Sequence, residues 1–263
     1  MQLLKKLVVG FFFLVSFNSA KAQTDTLFWF AAPDLQQAHA DRPIFLRVST
    51  TDNPALITVT QPANPAFPTL SFFVAANSTQ SYDLTPYIIQ IENGATNGVS
   101  NKGLLVKSDR PITCYYDIAN TGNGDMYALK GENALGIKFT VPFQMDLDTW
   151  RRNDGPYLCE FIILATENNT TIEITPTRNL VGNPAGSTFT IRLNRGETYV
   201  CTASSDLSTG KPGGTLVKSD KPIFKKCSRF PNKSNVQRMN LSALTRLSLF
   251  SHLSCIAPFI KCC

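Results

Sequence analysis

The chain has 263 residues, 43% of them hydrophobic and 17% charged, with a formal net charge of +6. Those figures fit one large β domain or two small ones and exclude a disordered chain. The positive charge lies at the two ends: residues 23–223 carry 15 basic and 19 acidic residues, a net −4, which excludes a nucleic-acid-binding body.

In chain order, Lys5 and Lys6 precede an apolar run from Leu7 to Phe17, and Ala20 and Ala22 frame an A-x-A site. This pattern predicts a secretory signal peptide over 1–22, cleaved after Ala22. The apolar run is about half of the ~20 residues that a spanning helix needs, and no second run of that kind follows. The mature chain is therefore expected to be secreted or held at the cell surface, with no transmembrane segment.

After an N-terminal segment, 23–43, the body reads as strands. Phe45–Thr50 and Ile57–Thr60 are β-branched runs separated by Asp52-Asn53-Pro54, good turn chemistry. Strands are predicted on both sides of Asn77. Phe161–Thr166 and Ile172–Thr175 form another pair, the second with the clean alternation of a half-buried strand. Residues 187–201 read as strand, Asn194-Arg195-Gly196 turn and strand. Pro and Gly interrupt every long helical window.

The chain repeats itself. GLLVKSDRPI at 103–112 returns as GTLVKSDKPI at 214–223, an offset of 111. Phe45–Thr50 resembles Phe161–Thr166 at offset 116, Ile57–Thr60 resembles Ile172–Thr175 at 115, and Asn77–Tyr82 resembles Asn194–Tyr199 at 117. Four matches in one order at a nearly constant offset imply a duplicated unit. The expected fold class is all-β: two tandem β-sandwich-like units, 44–120 and 160–223, the second incomplete, joined by a bridging segment 121–159. The decapeptide predicts a strand–turn–strand corner, because Ser-Asp bonds its own backbone in turns and proline belongs at a strand start or edge.

These residues carry a family resemblance. The paired VKSDxPI corners, and GENALGIKFTVP ahead of FIILATENNTTIEITP, resemble the N-terminal domain of IgGFc-binding protein over roughly 27–223. The resemblance implies a non-enzymatic extracellular or cell-surface binding domain with a protein or glycan ligand. Bacterial members of the family stand in large surface proteins of the Bacteroidota. Past SDKPI the pattern breaks. Residues 224–263 hold seven basic residues, no acids and four cysteines. An aberrant, poorly packed tail is expected there, produced by truncation or a shifted reading frame after about residue 223. The competing reading is a genuine basic tail.

Enzyme signals are poor: neither a nucleophile motif nor a twin-carboxylate motif is present. No catalytic residue and no cofactor is expected. Asp117, Asn120, Asn123 and Asp125 could supply oxygen ligands to Ca²⁺, although their spacing does not match an EF-hand loop. Trp150, Tyr127 and Tyr116 are candidate rings for a binding platform; in a β-sandwich such residues are more often core. Cys159 with Cys201 is one available disulfide, and spacing does not fix the connectivity. A carbohydrate-binding module and, behind it, a glycan-acting hydrolase stand as alternatives.

Overall fold

The computed structural model describes residues 24–34, 42–94, 97–120, 124–142 and 158–229. The signal peptide, Asn123, Trp150 and everything past Arg229 lie outside them. The strands are β1 (Asp25–Phe30), β2 (Ala32–Pro33), β3 (Ile44–Thr50), β4 (Ala55–Thr60), β5 (Leu70–Val74), β6 (Thr79–Asp83), β7 (Glu92–Asn93), β8 (Val99–Ser100), β9 (Leu104–Ile118) and β10 (Asp125–Leu129). They continue with β11 (Leu135–Thr140), β12 (Cys159–Ala165), β13 (Thr170–Thr175), β14 (Phe189–Leu193), β15 (Thr198–Thr202) and β16 (Leu216–Arg229). Among the described residues helix is confined to short turns such as Ile88–Ile91. The fold is all-β, with two tandem units, as expected.

Each unit is organised around one long strand. The first half of β9 pairs with β4 and β1, and its second half with β3 and β10. β5 extends β4, and β6 extends β3. In the second unit β16 plays the same part, with β13 and β11 on its first half and β12 on its second; β14 and β15 extend them.

This corrects the predicted corner. The decapeptide is no strand–turn–strand: β9 and β16 are continuous strands that change partners midway. The β4 ladder ends at Ser108 and the β3 ladder begins at Ile112; in the second unit the limits are Ser219 and Ile223. Pro111 and Pro222 fall in the gap, where a missing N–H removes no ladder bond. The aspartate has a definite task. Asp109 Oδ1 accepts the Leu56 N–H at 2.8 Å, and Asp220 Oδ1 accepts the Thr171 N–H at 2.8 Å. In each unit that bond ties the start of the neighbouring strand to the crossing point. The decapeptide is written twice because each unit needs one such crossing.

The ladders also refine the repeat. β1 on β9 and β11 on β16 share one register, Phe28 facing Val106 and Phe139 facing Val217, and both ladders are interrupted at the same place, between Asp25 and Leu27 and between Gly136 and Lys138. The duplicated unit therefore starts at β1 and β11, ahead of the 44 and 160 predicted. It also runs on past 223, because Phe224–Arg229 pair with β12. Phe224, Lys226 and Cys227 are buried. The expected break after 223 thus falls inside a strand, and the composition change marks no structural end there.

Equivalence by ladder register gives an offset of 115 for β3 and β12, where similarity gave 116: Ile44 faces Ile118 as Cys159 faces Arg229. A one-residue slip swaps the two faces of a strand. Leu46, not Phe45, is the counterpart of Phe161, and both are core. For β6 and β15 the offset is 119, not 117, because Asp83 faces Phe45 as Thr202 faces Glu160. Asn77 and Gly196 then coincide at the turn, and both have positive φ, 50° and 84°.

The units pack on one another. Ile162, Leu164, Val200 and Phe224 of the second belong to the same buried cluster as the core of the first. Phe30 and Phe224 lie 6.1 Å apart, ring to ring. β8 of the first unit adds a strand to β15 of the second, with Thr198 opposite Ser100. Beside it, Asn93 Oδ1 and the hydroxyls of Ser100 and Thr198 form a part-buried hydrogen-bonded set.

Candidate functional site

One sheet face occurs twice, once covered and once open. In the first unit it is the outer face of β6, β3, the second half of β9, and β10. Arg47 sits at its centre. Its Nε donates to Asp117 Oδ2 at 2.5 Å and its Nη1 to Ser81 Oγ at 2.9 Å. The guanidinium also lies 5.7 Å from the Phe45 ring centroid, within cation–π range. Asp117 is almost fully enclosed, its side chain 8% exposed against 38% for Arg47. The pair reaches across adjacent strands, since Arg47 faces Tyr115 and Phe45 faces Asp117. Beside it opens a shallow cavity of about 550 Å³ lined by Arg47, Asp117, Asn120, Asp125 and Met126.

In the second unit four of the corresponding positions are apolar, while Glu160 and Lys226 stand, buried, where the first unit has Phe45 and Tyr115. Ser81, Arg47, Ser49 and Thr113 are replaced by Val200, Ile162, Leu164 and Phe224. All four are buried under the first unit. β3 alternates between buried and half-buried along its length, whereas β12 is buried on both faces. A strand buried on both faces loses the polar alternation.

The predicted site residues divide around this face. Asp117, Asn120 and Asp125 do meet at one cavity, but as hydrogen-bonding groups already committed. Asp117 is taken by Arg47, the Asn120 amide donates to Arg42 O at 3.0 Å, and Asp125 Oδ1 accepts the Met126 N–H. Among the described residues no group of three His, Cys, Asp or Glu is placed to hold a metal. The glycosidase arrangement needs one carboxyl in an apolar pocket as acid; Asp117 lies against a guanidinium instead.

Tyr116 and Tyr127 are corrected as binding rings. Tyr116 is 1% exposed and packs against Phe30, the rings tilted by 37° with centroids 4.8 Å apart. Tyr127 has Lys226 Nζ 3.2 Å over its ring, so a cation from the second unit already covers it. Both rings serve the core and the junction between units, the usual fate of aromatics in a sandwich.

The disulfide candidate fails on geometry. Cys159, Cys201 and Cys227 are buried and in no disulfide, on the inner face of the second unit, with Cys201 and Cys227 on either side of Phe161. Cys159 is only diagonal to Cys201, because its direct neighbour on β15's side is Ala203, whose N–H it accepts at 2.8 Å. Diagonal neighbours stand about 7–8 Å apart, beyond the reach of a disulfide. Burial, with the Glu160 carboxylate as a second cause, pushes the Cys201 thiol well above its usual range; burial alone does so for Cys114. These thiols stay protonated and unreactive.

Sequence reasoning missed Arg47 and Ser81. Their signal was the contrast with Ile162 and Val200, which the one-residue misalignment of β3 with β12 concealed.

The second unit is also where similarity to known proteins falls. Residues 125–234 match the family IgGFc binding protein. The match opens at the first residue of β10 and takes in β11 to β16, hence all described strands of the second unit. The resemblance to the IgGFc-binding family, drawn from sequence over 27–223, is thereby borne out over its second half. No curated protein and no solved structure matches the chain. Among the described residues no helix is long and apolar enough to cross a membrane.

Proposed function

We propose that this chain is an exported, non-enzymatic binding or adhesion domain of the IgGFc-binding kind, acting outside the cell on a protein ligand through the open face of its first unit. One observation carries the reading. Four positions of one sheet face are apolar and buried in the second unit but polar and at least partly exposed in the first. A face with Arg47, Ser49, Ser81 and Thr113 where its counterpart has Ile, Leu, Val and Phe is not built to receive another unit of the chain. It keeps a central arginine on an aromatic ring, a combination enriched where proteins meet.

The family's name speaks of the Fc part of immunoglobulin G, so an Fc fragment is the first probe, within a panel of extracellular proteins. The signal peptide supports export, and N-terminal sequencing of secreted protein should begin at Gln23. Binding by the mature chain should fall about ten-fold in Arg47→Glu and hold in Lys218→Glu, a charge reversal on the second unit. Binding that ignores Arg47→Glu but is lost on changes to the second unit would move the site there. A glycan array that lights up while every protein probe stays silent would favour the carbohydrate-binding reading, for which the polar lining of the Arg47 cavity speaks.

A further inference from the structure

The two units differ at one sheet edge as well as on one face. β6 ends its sheet, whereas its counterpart β15 is followed by β8. In an antiparallel pair, alternate residues turn their N–H and C=O toward the neighbour. Leu84 N–H donates to Ile44 O, and Thr50 N–H to Ser78 O. Even-numbered residues therefore face β3, and Thr79, Ser81 and Asp83 turn their backbone groups outward. In the second unit Ala165 N–H donates to Glu197 O and Ala203 N–H to Cys159 O, so Thr198, Val200 and Thr202 turn outward.

That second edge is filled. Thr198 lies in the ladder with Ser100. The Thr202 N–H donates to Asn97 Oδ1 at 3.2 Å, and its C=O accepts the Val181 N–H at 2.9 Å. On β6 the outward groups of Thr79, Ser81 and Asp83 have no strand beside them among the described residues, and all three side chains are exposed. β5 and β14, which also end their sheets, are bare in both units, so a bare edge there is the unit's norm. Only β6 is bare where its sister is filled. The strand also lacks the lysine, proline or bulge that commonly guards such an edge.

We propose that the edge of β6 takes up an extended segment of a partner protein as an added antiparallel strand, as β15 takes up β8. The chemistry selects the segment. The sequence Thr79–Asp83 carries one charge, the Asp83 carboxylate. An antiparallel strand whose residue opposite Asp83 is basic, with β-branched or hydroxyl residues following, complements the edge. Main-chain hydrogen bonds supply the affinity and the basic residue the direction. The inference rests on the first unit's being the binding unit and adds the mode by which it binds.

The test titrates the ¹⁵N-labelled mature chain with the acetylated, amidated peptide Lys-Val-Thr-Val-Ser-Val. Amide shifts should centre on Thr79, Ser81 and Asp83 and spare β5 and β14. Methylating the peptide nitrogen of its threonine, which faces Ser81, removes one ladder donor and should weaken binding about ten-fold. Asp83→Lys should weaken it about three-fold. Ser81→Pro deletes an outward donor without touching the β3 ladder and should abolish the shifts. No shifts on β6, shifts on β5 or β14 instead, or equal binding by the methylated peptide would each overturn the proposal; the methylated peptide decides the matter even if Ser81→Pro does not fold. Capture of a protein ligand that depends on Arg47 yet leaves the β6 amides unmoved would preserve the proposed function and sink this mode of binding.

Discussion

β3 and β12 hold the same place in two copies of one unit, yet one faces water and the other is enclosed. Arg47 and Ile162 occupy equivalent positions, each central to its face. The backbone sets the position, and what lies above it sets the side chain. The first copy covers the second, and on the matching side of the first the described residues place no second unit, in keeping with its exposed polar groups. The sister edges repeat the contrast, β15 filled and β6 bare.

Exchanging the two central residues breaks that comparison most sharply. Ile162→Arg buries a guanidinium between the units with no partner prepared for it, and should cost about 4 kcal/mol or more in denaturant unfolding. Arg47→Ile, the reverse swap, leaves the nearly enclosed Asp117 without its donor but creates no new buried charge, and should cost less, about 2–3 kcal/mol. Equal costs would mean that the second face is not enclosed.

The β-turns come next. A Cβ at Gly196 would lie 2.8 Å from the backbone nitrogen of Ala63 in the other unit. Gly196→Asn should therefore cost about 2 kcal/mol, strain included. Asn77→Gly, at the matching turn, where the side chain is exposed, should change stability by less than about 1 kcal/mol. Thermal unfolding of the two variants side by side reads the difference.

At the crossing points the copies should agree. Asp109→Ala and Asp220→Ala each remove one hydrogen bond to a strand start and should each cost about 1 kcal/mol. A cost confined to one copy would show that the motif's role is not shared.

The smallest effect lies in pH. Cys114 and Cys201 have raised pKa values in the folded chain. An acid held protonated by folding stabilises fully below its unfolded pKa, and the contribution falls as pH rises past that value. Unfolding free energy should drop between pH 8 and 10, by about 0.4 kcal/mol per thiol at pH 9. Mass-mapped alkylation of native protein should leave both cysteines unlabelled; labelling faster than unfolding would contradict their burial.

The duplication and the all-β class were legible because the decapeptide is constrained at nearly every position: a buried apolar start, an aspartate that ties down a neighbour, a proline in a ladder gap. β1 and β11 were not paired by sequence because their burial differs, β1 ending in the buried run Phe28–Phe30 and β11 being half-buried or exposed throughout; Phe28 and Phe139 are nearly all they share. The register of β3 against β12 was misjudged by one because Phe45 and Phe161 look alike while pointing to opposite faces. Composition misled at 224, where two lysines read as the start of an aberrant tail. Lys226 instead is buried against Tyr127, its charge set on a ring that sequence alone had offered to a ligand. The candidate face was illegible for a related reason, since its meaning lies in a difference between copies that only the correct alignment exposes.

The long strand that joins the two halves of each unit's sheet has a bearing on misfolding. In an ordinary two-layer protein each layer can slide out of alignment by itself. Here a slide of β4 along β9 would pull Leu56 away from Asp109, and any shift of β9 itself would carry through the proline link into its pairing with β3. Two chances of error are joined into one, which penalises the staggered pairings from which aggregated sheets grow.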